Sequence, residues 1–267
     1  MPPPEPLLIG ESFSPWTQKA RWALERCGVA HRYEEYVPTL HEPWLRWRMR
    51  QWSAPVSVPV LHAQGRWLRG SWDIACHAES AAGGDRLGMR DDRVAAWNAI
   101  GEAALCEGRT RVVRGVARDR RAQEESLPPR VPAALRGGLR WLARDAARRL
   151  DRKYAALAVN GSLRRALLRM REALAASGGD FLLERFGYAD IAMCVVLECV
   201  APVARTTPPL GPAMRRHWQD AGLAREFDDL LVWRGRLLSR PGVAGSQFID
   251  AGSVEPHGDC HPARSEE

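Results

Sequence analysis

The sequence predicts a small mixed α/β domain followed by a larger, almost entirely helical domain. Short apolar runs typical of strands occur only before residue 83, where they alternate with helical patterns in the order βαβ, α, ββα. Beyond them, residues 92–245 are dominated by helical periodicity. We therefore place the domains at 1–82 and 92–245, with a linker over 83–91. The tail 246–267 has no periodicity and is expected to be disordered.

The first domain begins with a strand and an amphipathic helix. Leu7–Gly10 is a short apolar run between polar residues, which favours a buried strand. The next helix begins at Pro15, and Gly28 ends it. One apolar stripe runs along this helix, formed by Trp16, Ala20, Ala23, Leu24 and Cys27.

The rest of this domain combines strands and helices. Residues 31–37 favour a strand and residues 41–52 an irregular helix. The stretch "VPVLHAQGRWLRG" predicts a hairpin that turns at residues 63–65. The segment 71–82 predicts a helix with Ser71 as its N-cap and Asp73 in its first turn.

In the second domain, two helices are particularly clear. Residues 163–177 form an amphipathic pattern that ends at two glycines. Residues 188–203 are apolar on every face, which predicts a central buried helix.

Composition and charge exclude several classes of protein. The chain has 45% hydrophobic and 27% charged residues, as soluble globular proteins do. No apolar run approaches ~20 residues, and the first residues do not resemble a secretory signal. The six cysteines are scattered without a CxxC pair, which favours reduced thiols in a cytoplasmic protein. We expect no membrane partner.

The net charge of +7 does not by itself indicate a nucleic-acid partner. All but two of the 39 basic residues are arginines, a skew that favours coding bias. They cluster in "RTRVVRGVARDRRA" and "RWLARDAARRLDRK", whose interspersed apolar and acidic residues are typical of solvated helix faces. No zinc-finger, RNP or KH signature accompanies them. We expect no nucleic-acid partner.

Motifs for metal, nucleotide or hydrolase chemistry are weak or missing. The segment "HGDCH" at 257–261 carries two histidines, an aspartate and a cysteine as possible metal ligands, but it lies in the predicted tail. No GxSxG, P-loop or dinucleotide fingerprint occurs. We expect no metal cofactor.

Four local motifs, in this order and spacing, resemble the cytosolic glutathione transferase superfamily over roughly residues 7–245. They are "SPWTQKARWAL", "VPVL", "GSWDIA" and "FGYADIAM". The resemblance implies a thioredoxin-like N-terminal domain, an all-α C-terminal domain and glutathione as co-substrate. It also implies a serine-type enzyme, since a serine-proline-aromatic sequence opens the first helix in the serine-type classes.

Such an enzyme must hold glutathione as a thiolate. A free thiol has a pKa of ~8.5, so only about 3% is ionised at pH 7. Lowering this pKa by ~2 units requires the thiolate to be stabilised by ~2.7 kcal/mol more than the thiol. A hydrogen bond to a charged group contributes ~1.5–3 kcal/mol and a helix N-terminus ~0.3–1 kcal/mol. One hydroxyl at the start of a helix is therefore sufficient to lower the thiol pKa by this amount.

Ser14 is the candidate for that hydroxyl. Pro15 at the first helical position makes Ser14 the N-cap, and simple capping is the alternative role. The two roles are compatible, because a hydroxyl can accept a hydrogen bond from the helix backbone while it donates one to a sulfur. Ser12 is the fallback. Thr17 stands where redox relatives carry a second cysteine, so disulfide exchange is not expected.

The resemblance implies further glutathione contacts. Pro59 corresponds to the cis-proline of thioredoxin-like folds, and the backbone of Val58 to the group that pairs with the cysteinyl part of glutathione. The alternative is an ordinary trans proline at the start of an edge strand. Ser71 and the Trp72 N–H correspond to the site of the γ-glutamyl carboxylate, with simple helix capping by Ser71 as the alternative.

One position departs from the family pattern. The family usually has Glu, Gln or Asp just before this serine to meet the ligand's ammonium group, whereas this chain has Gly70. Asp73 or a partner subunit is a possible substitute. Otherwise glutathione binds weakly or is not the ligand.

Two further sets of residues follow from the resemblance. The glycine carboxylate of glutathione needs a cation, for which the sequence leaves four candidates open: His41, Arg46, Arg48 and Arg50. Asp190 corresponds to the acid of a capping box that starts the central helix of the second domain. With Gly187 at the capping position only half of that box remains, so we expect a structural role for Asp190.

Two classes of function remain open at this stage. The first is a homodimeric, detoxifying transferase that conjugates glutathione to a small hydrophobic electrophile bound between the domains, near residues 92–121. The second is a non-catalytic binding or interaction module with the same fold. Ser14, Pro59 and Ser71 favour the first class, while Gly70 and Gly187 favour the second.

Overall fold

The computed structural model describes residues 5–37, 40–53, 56–127, 131–203 and 210–248. Four strands and three helices come first, and the rest of the described chain is helical or irregular. The strands are β1 Leu7–Gly10, β2 Arg32–Glu35, β3 Val60–Ala63 and β4 Arg66–Arg69. The helices are α1 Pro15–Arg26, α2 Glu42–Met49, α3 Gly70–Ala81, α4 Asp92–Arg118, α5 Arg120–Glu125, α6 Ala133–Ala155, α7 Ser162–Ser177, α8 Tyr188–Val196, α9 Pro212–Trp218, α10 Ala221–Glu226 and α11 Asp228–Leu238.

The four strands form one mixed sheet in the order β2-β1-β3-β4. β1 runs parallel to β2 and antiparallel to β3, and β3 and β4 form the predicted hairpin. Gln64 and Gly65 turn the hairpin with positive φ values of 51° and 73°, as a two-residue turn requires. This is the predicted βαβ-α-ββα arrangement.

Both faces of the sheet are covered, which explains why β1 is apolar at every position. Leu8 and Leu61 point into the main core, which contains α1, α3 and α8. Leu7, Ile9 and Val60 point to the other face and pack with Leu45 and Met49 of α2. Successive strand residues point to opposite faces, so each strand supplies both cores.

Helices α4 and α8 organise the second domain. Every residue of α8 is buried, as the sequence predicted, and α4 packs against α6, α7 and α8. Gly108 of α4 permits a close approach, since a Cβ there would lie 2.7 Å from the Cβ of Cys199. The first domain joins this core through α1, which contacts α8.

A buried carboxylate of α3 holds the segment between the two domains. Glu79, which is 5% exposed, accepts hydrogen bonds from the backbone N–H groups of Leu87, Gly88 and Met89 at 2.7–3.0 Å. The sequence did not single out this residue. Its three bonds satisfy buried and half-buried backbone donors that lie outside regular secondary structure.

Two local predictions differ from the structure. Helix α3 begins at Gly70 with Arg69 as its N-cap, so Ser71 lies inside the first turn and is not the N-cap. Ser246–Phe248 form a 3₁₀ turn, although the sequence predicted disorder from residue 246. The Phe248 ring packs on Trp22 at 5.2 Å, and apolar burial of this ring explains why the turn is ordered. The remaining predicted tail lies outside the described residues.

Within the described ranges, no helix is long and apolar enough to cross a bilayer.

Asp190 at the start of α8 occupies the predicted half capping box. Its carboxylate is buried and accepts hydrogen bonds from the N–H groups of Leu182 and Gly187 at 2.8 and 2.9 Å. Burial raises the pKa of this carboxyl to about 6.

We expect Asp190→Ala to lower the free energy of unfolding by about 3 kcal/mol, because it leaves two buried N–H donors without acceptors. Glutathione binding per folded molecule should not change.

The pH dependence of the free energy of unfolding should change in the variant. A carboxyl pKa raised from ~4 to about 6 makes wild-type stability fall as pH rises through that interval, and the variant should lack this contribution. Denaturant unfolding at pH 4 and pH 7 measures both effects. A parallel loss of binding per folded molecule would contradict a structural role.

Candidate functional site

The sheet register gathers the predicted site residues at one edge of the first domain. Ile9 pairs with Val60 in antiparallel register, so the chain leaving β1 and the chain entering β3 meet at the same end of the sheet. The Gly70 N–H donates to the Pro59 carbonyl at 3.0 Å, which brings the start of α3 to the same place. The loop with Ser14, the Val58–Pro59 turn and the first turn of α3 are thereby neighbours.

Ser14 is the N-cap of α1, as predicted, and it is 5% exposed. Its backbone N–H donates to the Glu11 carbonyl at 2.8 Å, and its carbonyl accepts from Gln18 at 3.0 Å. The side chain forms no capping bond, and its hydroxyl bonds to no other described residue. The hydroxyl therefore does not cap the helix in this structure and is available as a hydrogen-bond donor.

The fallback serine is already engaged. The Ser12 hydroxyl donates to Glu35 Oε2 at 2.7 Å, and the Ser12 N–H donates to Oε1 of the same carboxylate at 3.0 Å. Thr17 is buried against Gly10, where a Cβ would lie 2.3 Å from the Thr17 methyl group. A glycine at the end of β1 is needed for α1 to pack this closely.

The predicted turn before β3 has the predicted geometry. The Val58–Pro59 peptide bond is cis, and Pro59 is buried while Val58 is half-buried. Ser71 is buried in the first turn of α3, where backbone N–H groups have no intrahelical acceptor. The Trp72 ring turns toward the second domain and meets the Tyr188 ring edge-on at 5.6 Å. The Trp72 indole therefore packs against the second domain.

Gly70 has a backbone conformation that glycine favours. Its φ is +78°, and a Cβ would meet no atom within 4 Å. Space therefore does not disfavour a longer side chain at this position, whereas the positive φ does. Asp73, the candidate substitute for the missing acid, lies in the first turn of α3 and is exposed.

The four predicted cations are mostly engaged elsewhere. His41 Nδ1 accepts from the Val37 N–H at 3.2 Å, and Arg46 is paired with Glu42 at 2.8 Å. The Arg48 guanidinium lies between the Trp44 and Trp67 rings, at 4.9 and 5.9 Å. Arg50 ends α2 in a left-handed conformation and is exposed.

The second domain supplies two cations that the sequence analysis did not select. Lys153 Nζ donates to Ser57 Oγ at 2.8 Å and so spans from α6 to the residue before Val58. Arg109 of α4 is 5% exposed and lies 3.5 Å from the carboxylate of Glu11. Neither contact is local in sequence, so no spacing pattern signals it.

An aromatic surface lies beside Ser14, where the two domains meet. The ring of Trp16, two residues after Ser14, stacks on Tyr154 with 5.2 Å between centroids and an interplanar angle of 4°. Burial raises the pKa of Tyr154 to about 12, so its hydroxyl stays protonated at neutral pH. The wall beside Ser14 is therefore aromatic and carries the cations described above.

A buried lysine joins α1 to α4 behind this wall. Lys19 is fully buried and forms an ion pair with Glu102, and it also donates to Asn98 Oδ1 at 3.1 Å. Glu102 in addition accepts from the indole N–H of Trp16. Burial lowers the pKa of Lys19. This network fixes the helix that carries Ser14 against the second domain.

Metal and thiol chemistry find little support in the described part of the chain. No group of three or more His, Cys, Asp or Glu there is placed to hold a metal ion. The segment 257–261 lies outside the described residues. Burial raises the pKa of Cys106, the cysteine of α4 nearest Lys19 and Lys153, so this thiol is a poor nucleophile.

This combination of a thioredoxin-like sheet, a cis-proline turn and an all-helical second domain defines a class of fold, that of the glutathione S-transferases. Residues 13–81 match the family model of the glutathione S-transferase N-terminal domain. This match covers the first domain, and the second domain resembles this family in its fold.

Solved structures with the same fold are distant in sequence. A glutathione S-transferase from Sinorhizobium meliloti 1021 has 18% identity and a TM-score of 0.52, covering 90% of each chain. The beta-etherase LigF from Sphingobium sp. strain SYK-6 has 17% identity and a TM-score of 0.54, covering 90% of this chain and 97% of that one. A glutathione S-transferase from Pseudomonas fluorescens has 15% identity and a TM-score of 0.52, covering 90% and 98%. A search of curated proteins found no match.

Proposed function

We propose that the protein is a glutathione transferase in which the Ser14 hydroxyl stabilises the glutathione thiolate for attack on a small hydrophobic electrophile. The observation that carries this proposal is the unbonded hydroxyl of Ser14 at the N-cap of α1. A hydroxyl that does not cap its own helix is free to donate to an anionic sulfur beside the positive end of that helix.

The other glutathione groups find partners at the same edge. The Val58 backbone, held by the cis bond to Pro59, would pair with the cysteinyl part of the ligand. The Ser71 hydroxyl and the Trp72 N–H would bind the γ-glutamyl carboxylate. Lys153, whose ammonium group already reaches Ser57, is the best-placed described cation for a second carboxylate.

The electrophile would bind against the second domain. The stacked rings of Trp16 and Tyr154 offer an apolar surface beside Ser14, which suits a hydrophobic ring or chain. In the reaction, the thiolate sulfur would form a bond to the electrophilic carbon. The displaced electron pair would depart with the leaving group or, in an addition, move onto an electronegative atom of the electrophile, which would then take a proton from water. Such chemistry would suit a cytoplasmic, homodimeric detoxifying enzyme.

A non-catalytic module is the second candidate, and Gly70 is the observation that favours it. The family's usual acid is missing at this position, and the positive φ of Gly70 disfavours its replacement by a longer side chain. An enzyme and a non-catalytic module differ first in whether glutathione binds as a thiolate.

Calorimetric titration with glutathione, followed by the ultraviolet absorbance of the bound thiolate against pH, tests the proposal. We expect binding at millimolar glutathione or below and a bound-thiol pKa lowered by about 2 units from ~8.5. S-methylglutathione, which has no ionisable thiol, is the matched ligand control and should show no titration. Absence of binding at millimolar glutathione would favour the non-catalytic module. Binding with an unshifted thiol pKa would contradict activation by Ser14.

A further inference from the structure

The two arginine-rich segments of the sequence converge on one cavity, away from the site described above. This cavity has a volume of about 730 Å³. It lies between the C-terminal end of α4, the short helix α5 and one face of α6. Six of its twelve lining residues are arginines, and the one acidic lining residue is Asp151. The segments are therefore not two independent solvated helix faces, as their sequence pattern suggested, because they share this concave surface.

Most of the positive charge in this cavity is not neutralised by the described chain. Arg114 pairs with Asp151 at 2.8 Å, and Arg140 pairs with Glu124 at 3.2 Å. The other four arginines of the lining form no hydrogen bond or ion pair with a described residue, namely Arg118, Arg120, Arg144 and Arg148. Like charges gathered on a concave surface repel one another and attract a multivalent anion.

A neighbouring cavity shows that high arginine content alone does not produce this arrangement. It encloses about 600 Å³ and shares Arg114 and Arg118 with the first cavity. Its other arginines have acidic partners: Arg111 is paired with Asp220, and Arg216 lies 3.7 Å from the Asp119 carboxylate. The unpaired arginines are thus concentrated on the α5–α6 side.

The same cavity presents an exposed aromatic ring. Trp141 of α6 is 63% exposed, although tryptophan usually buries most of its surface. Gly137 and Gly138 precede it by one turn, and a Cβ at either position would meet no atom within 4 Å. The helix surface beside the indole is therefore flat and open, which leaves room for a planar ring to stack.

We propose that this cavity is a binding site for a nucleoside polyphosphate. Guanidinium groups bind phosphate oxygens in a bidentate manner, and the four unpaired arginines match the charge of a phosphate chain. The base would stack on the Trp141 indole, as bases do on exposed aromatic side chains. A volume of about 730 Å³ lies within the range of small-ligand sites. The proposal does not depend on glutathione binding.

Calorimetric titration of the full chain with ATP tests this site, with inorganic triphosphate, adenosine and a short single-stranded oligonucleotide as comparison probes. We expect ATP to bind more tightly than triphosphate and adenosine to bind weakly. The double variant Arg144→Gln/Arg148→Gln should weaken ATP binding about tenfold or more. Trp141→Leu should weaken the binding of ATP but leave that of triphosphate unchanged.

The matched control is Arg66→Gln/Arg236→Gln, which removes the same charge from exposed arginines outside the cavity. It should leave ATP affinity within about twofold of wild type. Equal weakening by both double variants would overturn the proposal in favour of general electrostatic attraction. The proposal would also be overturned if ATP does not bind or if triphosphate binds as tightly as ATP. A preference for the oligonucleotide at equal phosphate concentration would overturn it as well. Because none of these variants touches the glutathione site, glutathione affinity should stay unchanged in all of them.

Discussion

Replacing Ser14 by alanine is expected to raise the thiol pKa of bound glutathione by about 1 to 2 units. The change removes one hydrogen bond to a charged sulfur, and such a bond contributes ~1.5–3 kcal/mol. Near pH 6.5 the rate of conjugation should therefore fall about fivefold to fiftyfold, in proportion to the thiolate fraction. Above pH 9 the wild type and the variant should converge, because the thiol ionises there without help. This convergence distinguishes loss of thiolate stabilisation from misplacement of the ligand.

Ser12→Ala is the matched control in the same loop. It removes a hydroxyl that donates to Glu35 and should leave the thiol pKa unchanged. Because the Ser14 side chain forms no capping bond, Ser14→Ala should also leave the unfolding midpoint close to that of wild type, whereas loss of a capping side chain costs ~1 kcal/mol. A thiol pKa that rises in the Ser12 variant and not in the Ser14 variant would reverse the assignment.

Replacing Glu102 by glutamine is expected to cost about 3 kcal/mol of unfolding free energy. Lys19 is fully buried, and the variant removes the negative charge that pairs with its ammonium group, so that only uncharged partners such as Asn98 Oδ1 remain. Removing one member of a buried ion pair typically costs ~3–5 kcal/mol, and we expect the lower end because the Glu102 side chain is 36% exposed. Guanidinium unfolding at neutral pH measures the loss.

The pH dependence of this variant provides a second measurement. Burial lowers the pKa of Lys19, so the folded state binds fewer protons there than the unfolded state. Stability of Glu102→Gln should therefore rise with pH as the buried lysine loses its proton. The double variant Lys19→Met/Glu102→Gln should recover most of the lost stability, since no unpaired charge remains. Failure to recover would show that packing, and not charge pairing, dominates at this contact.

Much of the fold was predictable because its signals are local. Pro15 and Gly28 mark the bounds of α1 within two residues, and the hairpin turn at 64–65 appears in the sequence as a glycine between two strand-like runs. The start of α3 was predicted wrongly because a serine suggested an N-cap, whereas the helix begins at Gly70, which has a positive φ that glycine adopts readily. Local propensity does not include that backbone freedom.

The candidate site was predictable only in part. Ser14, Pro59 and Ser71 follow from short motifs, and the antiparallel pairing of β1 with β3 explains why they become neighbours. The cation was not predictable. The four candidates on α2 and at its two ends are near in sequence, but three are held by Val37, Glu42 and aromatic rings. Lys153 instead reaches Ser57 across 96 residues of chain.

The sequence by itself determined the order of strands and helices, the division into a mixed and a helical part, and the serine at the start of α1. Those features depend on periodicity, turn residues and capping within a few residues of chain. Tertiary structure alone decided which hydroxyl is unbonded, which buried charge is paired and where the two arginine-rich segments meet. These outcomes depend on contacts between distant residues, and packing of the whole chain, rather than local propensity, selects such contacts.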